Sequence, residues 1–166
     1  SKKKRKEFWG GGGRKFPNHK QNFSYVQNFF FVRPNSFFGM SVSLSADGNT
    51  LAVGGTQPSS HYTNGKGYVK VYNYTTSGWS SIGQDIYGES AEDESGYSVS
   101  LSSDGNTLAI GAPKNDGNGN LSGHVRIYNW DGSSWVQLGN DIDGEDANDE
   151  SGYSVSFVDF SIAFIT

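Results

Sequence analysis

One feature constrains this chain more than any other: it contains the same segment twice. Residues 39–95 begin GMSVSLSADGNTLAVGG and end GESAEDES, and residues 96–151 begin GYSVSLSSDGNTLAIGA and end GEDANDES. The unit starts at Gly39 and Gly96, and starts again at Gly152 with GYSVS, giving spacings of 57 and then 56 residues. The lost residue falls in the Gly/Asn/Ser-rich stretch between Thr56 and Gly67. A near-identical unit of this length is a supersecondary structure that cannot bury its apolar faces alone and does so against its neighbours.

Each unit reads as four short strands. Val42 and Leu44 alternate with Ser41, Ser43 and Ser45, at the period of two that a strand requires. Asp47-Gly48-Asn49 supplies a tight turn, because these residues tolerate positive φ. Residues 50–55 return as a second strand, residues 68–74 form a third around Val69 and Val71, and residues 79–86 form a weaker fourth around Trp79 and Ile82. In the second unit the same roles fall to Val99 and Leu101, Asp104-Gly105, Leu108 and Ile110, Val125 and Ile127, and Trp135 and Leu138. Four-stranded units with a fixed turn and a fixed aromatic predict an all-β fold of β-propeller blades, about two blades of an incomplete propeller. The small Ser, Ala and Gly residues opposite the branched aliphatics suit sheets covered closely on both faces. A β-sandwich shares the alternation but does not call for near-identical units.

The motifs Phe38-Gly39 followed by Gly54-Gly55, and Gly96 followed by Gly111-Ala112-Pro113, resemble the FG-GAP repeats of integrin α-subunit-type β-propellers. SLSADGNTLAVG and SLSSDGNTLAIGAP are also similar to the strand-turn-strand of WD-like and TolB-like propeller repeats. The resemblance covers residues 37 to about 156 and implies a non-catalytic module that is extracellular or at the cell surface, with a protein or glycan as partner. Sequons at Asn73-Tyr74-Thr75 and Asn120-Leu121-Ser122 are compatible with that placement. Calcium-binding blades of that family carry a longer, aspartate-rich turn between their first two strands. Asp47-Gly48-Asn49 and Asp104-Gly105-Asn106 offer one carboxylate each, too few for the six to eight oxygens of Ca²⁺, so they read as plain hairpins. Two alternatives stand beside the interaction module. One is a piece of a propeller enzyme, a hydrolase or lyase whose catalytic residues lie outside this chain, and the other is an intracellular WD-like scaffold.

The flanks differ from the repeats. The net charge of −4 divides into nine Lys/Arg against one Glu in residues 1–36, and four against sixteen acidic residues in 37–166. Residues 1–36, with the run Lys2-Lys3-Lys4-Arg5-Lys6, the glycines 10–13 and the aromatics Phe29, Phe30 and Phe31, read as a low-complexity tail, disordered or from outside the native reading frame. Residues 157–166, FVDFSIAFIT, leave the repeat pattern and invite the same reading. The chain starts with Ser and shows no signal-peptide core, and two blades cannot close a ring of four to eight. It therefore reads as a fragment, with self-association expected if it is complete.

Cys 0 excludes disulfides, thiolate zinc sites and cysteine nucleophiles, and no apolar run is long enough for a membrane-spanning helix. No nucleic-acid partner is expected of the acidic repeats. Among the histidines, His19 lies in the tail, His61 in a loop, and His124 aligns with Tyr68, so neither a catalytic triad nor a His-metal spacing arises. No cofactor is expected apart from calcium, whose candidate ligands are Asp141, Asp143 and Glu145 in the acidic inter-unit loop and Asp116, Asn118 and Asn120 in KNDGNGN. The acidic loop, with Asp85, Glu89, Glu92, Asp93 and Glu94 as its first copy, also reads more plainly as a solvated charge run. The recurring aromatics Trp79/Trp135, Tyr72/Tyr128 and Tyr74/Trp130 read as blade packing rather than as a binding platform.

Overall fold

The computed structural model describes residues 37–56 and 65–158. The basic run, Phe29 to Phe31, His19, His61 and residues 159–166 lie outside them. The described residues form two antiparallel sheets and no helix. In the first, β1 (Phe38–Leu44), β2 (Thr50–Gly55), β3 (Tyr68–Thr75) and β4 (Gly78–Ser81) pair in chain order, with β5 (Ile86–Tyr87) also on β3. The second repeats this with β6 (Ser98–Leu101), β7 (Thr107–Ala112), β8 (His124–Trp130), β9 (Trp135–Gln137) and β10 (Ile142–Asp143).

The expected fourth strand is divided in both units. β4 pairs with residues 72–75 of β3 and β5 with Tyr68 and Val69. Gly83 (φ +66°) and Gly139 (φ +76°) fall in the gap, where a left-handed residue breaks the pleat. The Ile82 N–H still donates to the Val71 carbonyl, so the outer strand is one bulged strand rather than two separate ones.

Each hairpin turn is closed by its aspartate. Ser45 Oγ donates to Asp47 Oδ1 at 2.6 Å, the Asn49 N–H donates to the same oxygen at 2.9 Å, and the Thr50 N–H donates to Ser45 Oγ. Ser102, Asp104, Asn106 and Thr107 reproduce these bonds. The donors hold both carboxyls below their ordinary pKa, the serine hydroxyl being the largest influence.

The hydrophobic core is the contact between the sheets. Ala52, Val69, Val71 and Ile86 of the first pack on Val99, Leu101, Leu108, Ile110, Tyr128 and Trp135 of the second, with Ile82 and Trp130 at the margin. A sheet thus has two unlike faces. One carries serines, Gly, Ala and small aliphatics, and the other carries Val/Leu pairs and aromatics. Position in the stack decides burial: Val42 is 63% exposed and its equivalent Val99 only 7%, while Ile86 is 5% exposed and its equivalent Ile142 is 56%. Recurrent aromatics follow the same logic, since Trp135 is buried between the sheets and Trp79 stands on the open face of the first.

The sheets approach closely through main chain. A Cβ on Gly54 would lie 2.1 Å from the Gly96 carbonyl oxygen, and one on Gly111 would lie 1.9 Å from that of Gly152. Ser41 Oγ donates to the Gly96 carbonyl at 2.8 Å, and Ser98 Oγ to that of Gly152 at 2.7 Å. The Leu101 N–H donates to Ser43 Oγ and the Phe157 N–H to Ser100 Oγ, each at 2.9 Å. Residues 152–157 therefore lie on the second sheet as residues 96–101 lie on the first. Phe157 takes the place of Leu101 although the sequence likeness ends at Ser156. A Gly54→Ala variant is expected to lose about 1–3 kcal/mol of stability by overpacking the sheet-to-sheet contact, measured by urea denaturation; an unchanged midpoint would contradict this packing.

Candidate functional site

The described titratable groups concentrate where the loop leaving the first sheet crosses the second. Arg126 projects from β8. Its Nε donates to Asp141 Oδ1 at 2.8 Å and its terminal nitrogen to Asp141 Oδ2 at 2.6 Å, a bidentate pair, and the same terminal nitrogen also pairs with Glu89 of the first unit. Gln137 Nε2 donates to Asp141 Oδ1 at 2.7 Å. The first sheet holds the simpler version, Lys70 Nζ to Asp85 Oδ2 at 3.1 Å. A third-strand cation and an acid ahead of the last strand are thus part of the repeat, and Glu89 extends the pair across to the neighbouring sheet.

His124 lies beside this network, 2% exposed, with Nδ1 buried, unbonded and 3.7 Å from Asp141 Oδ2. Burial first, and Arg126 second, lower its pKa, so the ring is neutral at pH 7. Arg126 in turn holds the Asp141 carboxyl below the ordinary carboxylate range. Glu89, His124 and Asp141 each offer a metal-competent atom within 4.8 Å of the others. The cation bridging their two carboxylates is the guanidinium of Arg126, which cannot be deprotonated and which a metal would have to displace. The arrangement is therefore an ion-pair clamp between sheets.

Further polar ties run the same way. Gln84 Nε2 donates to the Trp135 carbonyl at 2.7 Å, and the Trp135 N–H donates back to Gln84 Oε1. Asn115 Nδ2 donates to Asp93 Oδ2 at 3.1 Å, with both residues buried, and Lys114 Nζ pairs with Glu94 at 2.8 Å. In every case the first unit supplies the side chain that reaches forward. Non-glycine residues with positive φ, Glu92 and Glu94 in one copy and Asn148 and Glu150 in the next, shape the loop that carries these acids.

The calcium candidates are placed as follows. Asp141 is engaged by Arg126 and Gln137. Asp143 and Glu145 are exposed. Asp116 Oδ1 accepts the Leu121 N–H at 2.7 Å, and Asn118 Nδ2 donates to the Gly144 carbonyl at 2.8 Å, while the Asn120 carbonyl accepts the Asn148 N–H. Asp116, Asn118 and Asn120 thus shape their own loop and fasten it to the acidic one. Gln84, Asn115 and Arg126 escaped notice in the sequence, and Glu89 reads there only as part of the acidic run, although Lys70/Asp85 and Arg126/Asp141 recur at one spacing and could have revealed the pair.

Faces that pack sheet on sheet in a repeating register define β-propeller blades. Residues 88–128 match the family model of the FG-GAP repeat, running from the end of one blade to the third strand of the next and including Glu89, His124 and Arg126 of the clamp. The matched segment is thus FG-GAP-like. No curated protein matches the chain. Among the described residues, no helix is long and apolar enough to cross a membrane.

Two outcomes test the clamp. Arg126→Met leaves two acids facing each other and is expected to cost about 1.5–3 kcal/mol by chemical denaturation, with Arg126→Lys retaining part of it. The depressed pKa of His124 stabilises the fold fully above the unfolded value near 6.5, and this contribution is lost as pH falls below that value toward the native one. Stability should therefore decline between pH 7 and 5, and His124→Tyr, the residue found at this place in the first unit, should flatten that decline.

Proposed function

We propose that this chain is a non-catalytic interaction segment of a secreted or cell-surface β-propeller, which contacts a protein or glycan through the loop at residues 116–121. The observation that carries this reading is a division of labour between the units. The apolar positions that pack blade on blade repeat closely, whereas the stretch after the second strand reads QPSSHYTNGKG in one unit and KNDGNGNLSG in the other. Variation confined to a loop on a constant scaffold is how repeat proteins acquire binding surfaces.

In the second unit this loop is pre-shaped. Asn115 Oδ1 accepts the Gly117 N–H at 2.8 Å, Asp116 accepts from Leu121, and Ser122 Oγ, fully buried, donates to the Asn115 carbonyl. Asp116, Asn118 and Asn120 stay at the surface on that frame. A loop already ordered loses little entropy on binding. The FG-GAP match supports the extracellular setting, and the exposed Asn120 of the second sequon is compatible with it.

The full chain, biotinylated and tetramerised on streptavidin, should bind a subset of a glycan array, or cells in a manner abolished by surface proteolysis. Asn120→Ala should weaken that binding at least tenfold at unchanged melting temperature, and Asn118→Ser should weaken it as well while also losing the bond to the Gly144 carbonyl. Binding indifferent to both substitutions, or turnover of the arrayed glycans by the chain, would count against the proposal.

A further inference from the structure

We infer that the open face of the second blade is a docking surface for one kind of partner: another blade of the second-unit type, with Pro-Lys-Asn after its second strand and Arg on its third. The inference rests on the blade reading above and adds to it a rule for which blade fits.

The template is the contact already formed. Six side chains of the first unit reach the second: Ser41, Ser43, Gln84, Glu89, Asp93 and Glu94. Their equivalents are Ser98, Ser100, Asn140, Glu145, Asp149 and Glu150. Ser98 and Ser100 are already engaged by residues 152–157, which occupy the first-strand position of a following blade. The other four are exposed. Among the described residues, Asn140, Glu145 and Glu150 make no side-chain hydrogen bond or ion pair, and Asp149 accepts only the Asp146 N–H within its own loop. Beside them lies the apolar part of the same face, where Leu138 and Ile142 stand exposed while their counterparts Ile82 and Ile86 pack into the core.

Charge selects the occupant. In the existing contact, Glu89, Asp93 and Glu94 meet Arg126, Asn115 and Lys114. A partner for Glu145, Asp149 and Glu150 must supply the same three donors. A second copy of this chain docking through its first blade would offer Lys70 to Glu145. In sequence, Gln57 and Pro58 align with Lys114 and Asn115, so the first-type blade lacks the lysine and asparagine that meet Glu94 and Asp93 in the existing contact. Acids brought together without counter-charges repel in a site shielded from water. Its own first strand would also compete with residues 152–157 for Ser98 and Ser100. A second-type blade continuing from Ser151 meets all four groups and uses that strand.

The test inserts a duplicate of residues 96–151 after Ser151 of the full chain and, in a second variant, a duplicate of residues 39–95 at the same point. Amide hydrogen exchange over residues 140–150 is the readout. The second-type insert should protect these amides at least tenfold, to the level of residues 84–94, and the first-type insert should not protect residues 145–150. Replacing the inserted counterparts of Lys114 and Asn115 with Glu and Pro should remove the protection. Equal protection by both inserts would overturn the selection rule while leaving the blade reading intact, whereas protection by neither would overturn both. Self-association of the unaltered chain in sedimentation, abolished by Glu145→Lys, would assign the face to a second copy and so refute the inference.

Discussion

Every blade in this chain is a thin sheet whose two faces are both apolar, and the structure depends on covering each with a neighbour. The core is the layer between the sheets, where each well-buried aliphatic contributes about 1.5–3 kcal/mol. Ala52, Gly54 and the serines of one face exist so that Val99, Leu101 and Trp135 of the other can come close. Hydrogen bonds from Ser41 and Ser43 then fix the height at which one sheet sits on the next. Stability is therefore a nearest-neighbour property, in the manner of repeat proteins.

The polar ties add direction to this packing. Gln84, Glu89, Asp93 and Glu94 all reach from the earlier unit to the later one, and their receivers sit on the main chain of Trp135 or on Arg126, Asn115 and Lys114. Hydrophobic contact tolerates sliding, but a bidentate arginine and a buried Asp-Asn pair do not. The ion-pair clamp therefore acts on register and on the choice of neighbour, and the neutral, buried His124 makes the same contact sensitive to mild acid.

The fold was readable because the repeat displays itself twice. Val42/Leu44 against Val99/Leu101, and the Asp-Gly-Asn turns, give strand, turn and face directly. The division of the fourth strand was not readable, since the glycines at 83 and 139 look like ordinary loop residues until β3 is seen to pair on both sides of the gap. The polar site was less legible still. Glu89, Asp93 and Glu94 sit in what reads as a solvated acidic run, and their partners lie at 126, 115 and 114, separations that no local period connects. Asp141 drew attention as a calcium candidate for its charge, yet its nearest cation is 15 residues back on an adjacent strand. Only the fold brings such pairs together.

The one-way stacking of unlike faces also has a consequence in time. The first blade's Ala52–Val69–Ile86 face is complete when about Tyr87 has been made, but its cover, from Val99 to Trp135, is still to be synthesised. At roughly 5–20 residues per second the ribosome needs several seconds to deliver it. For that interval a nascent sheet displays a bare apolar flank, and the forward-reaching acids Glu89, Asp93 and Glu94 are the next segment to emerge beside it. Their charge gives the waiting edge a hydrated, self-repelling border that discourages pairing with another nascent chain until the proper neighbour arrives.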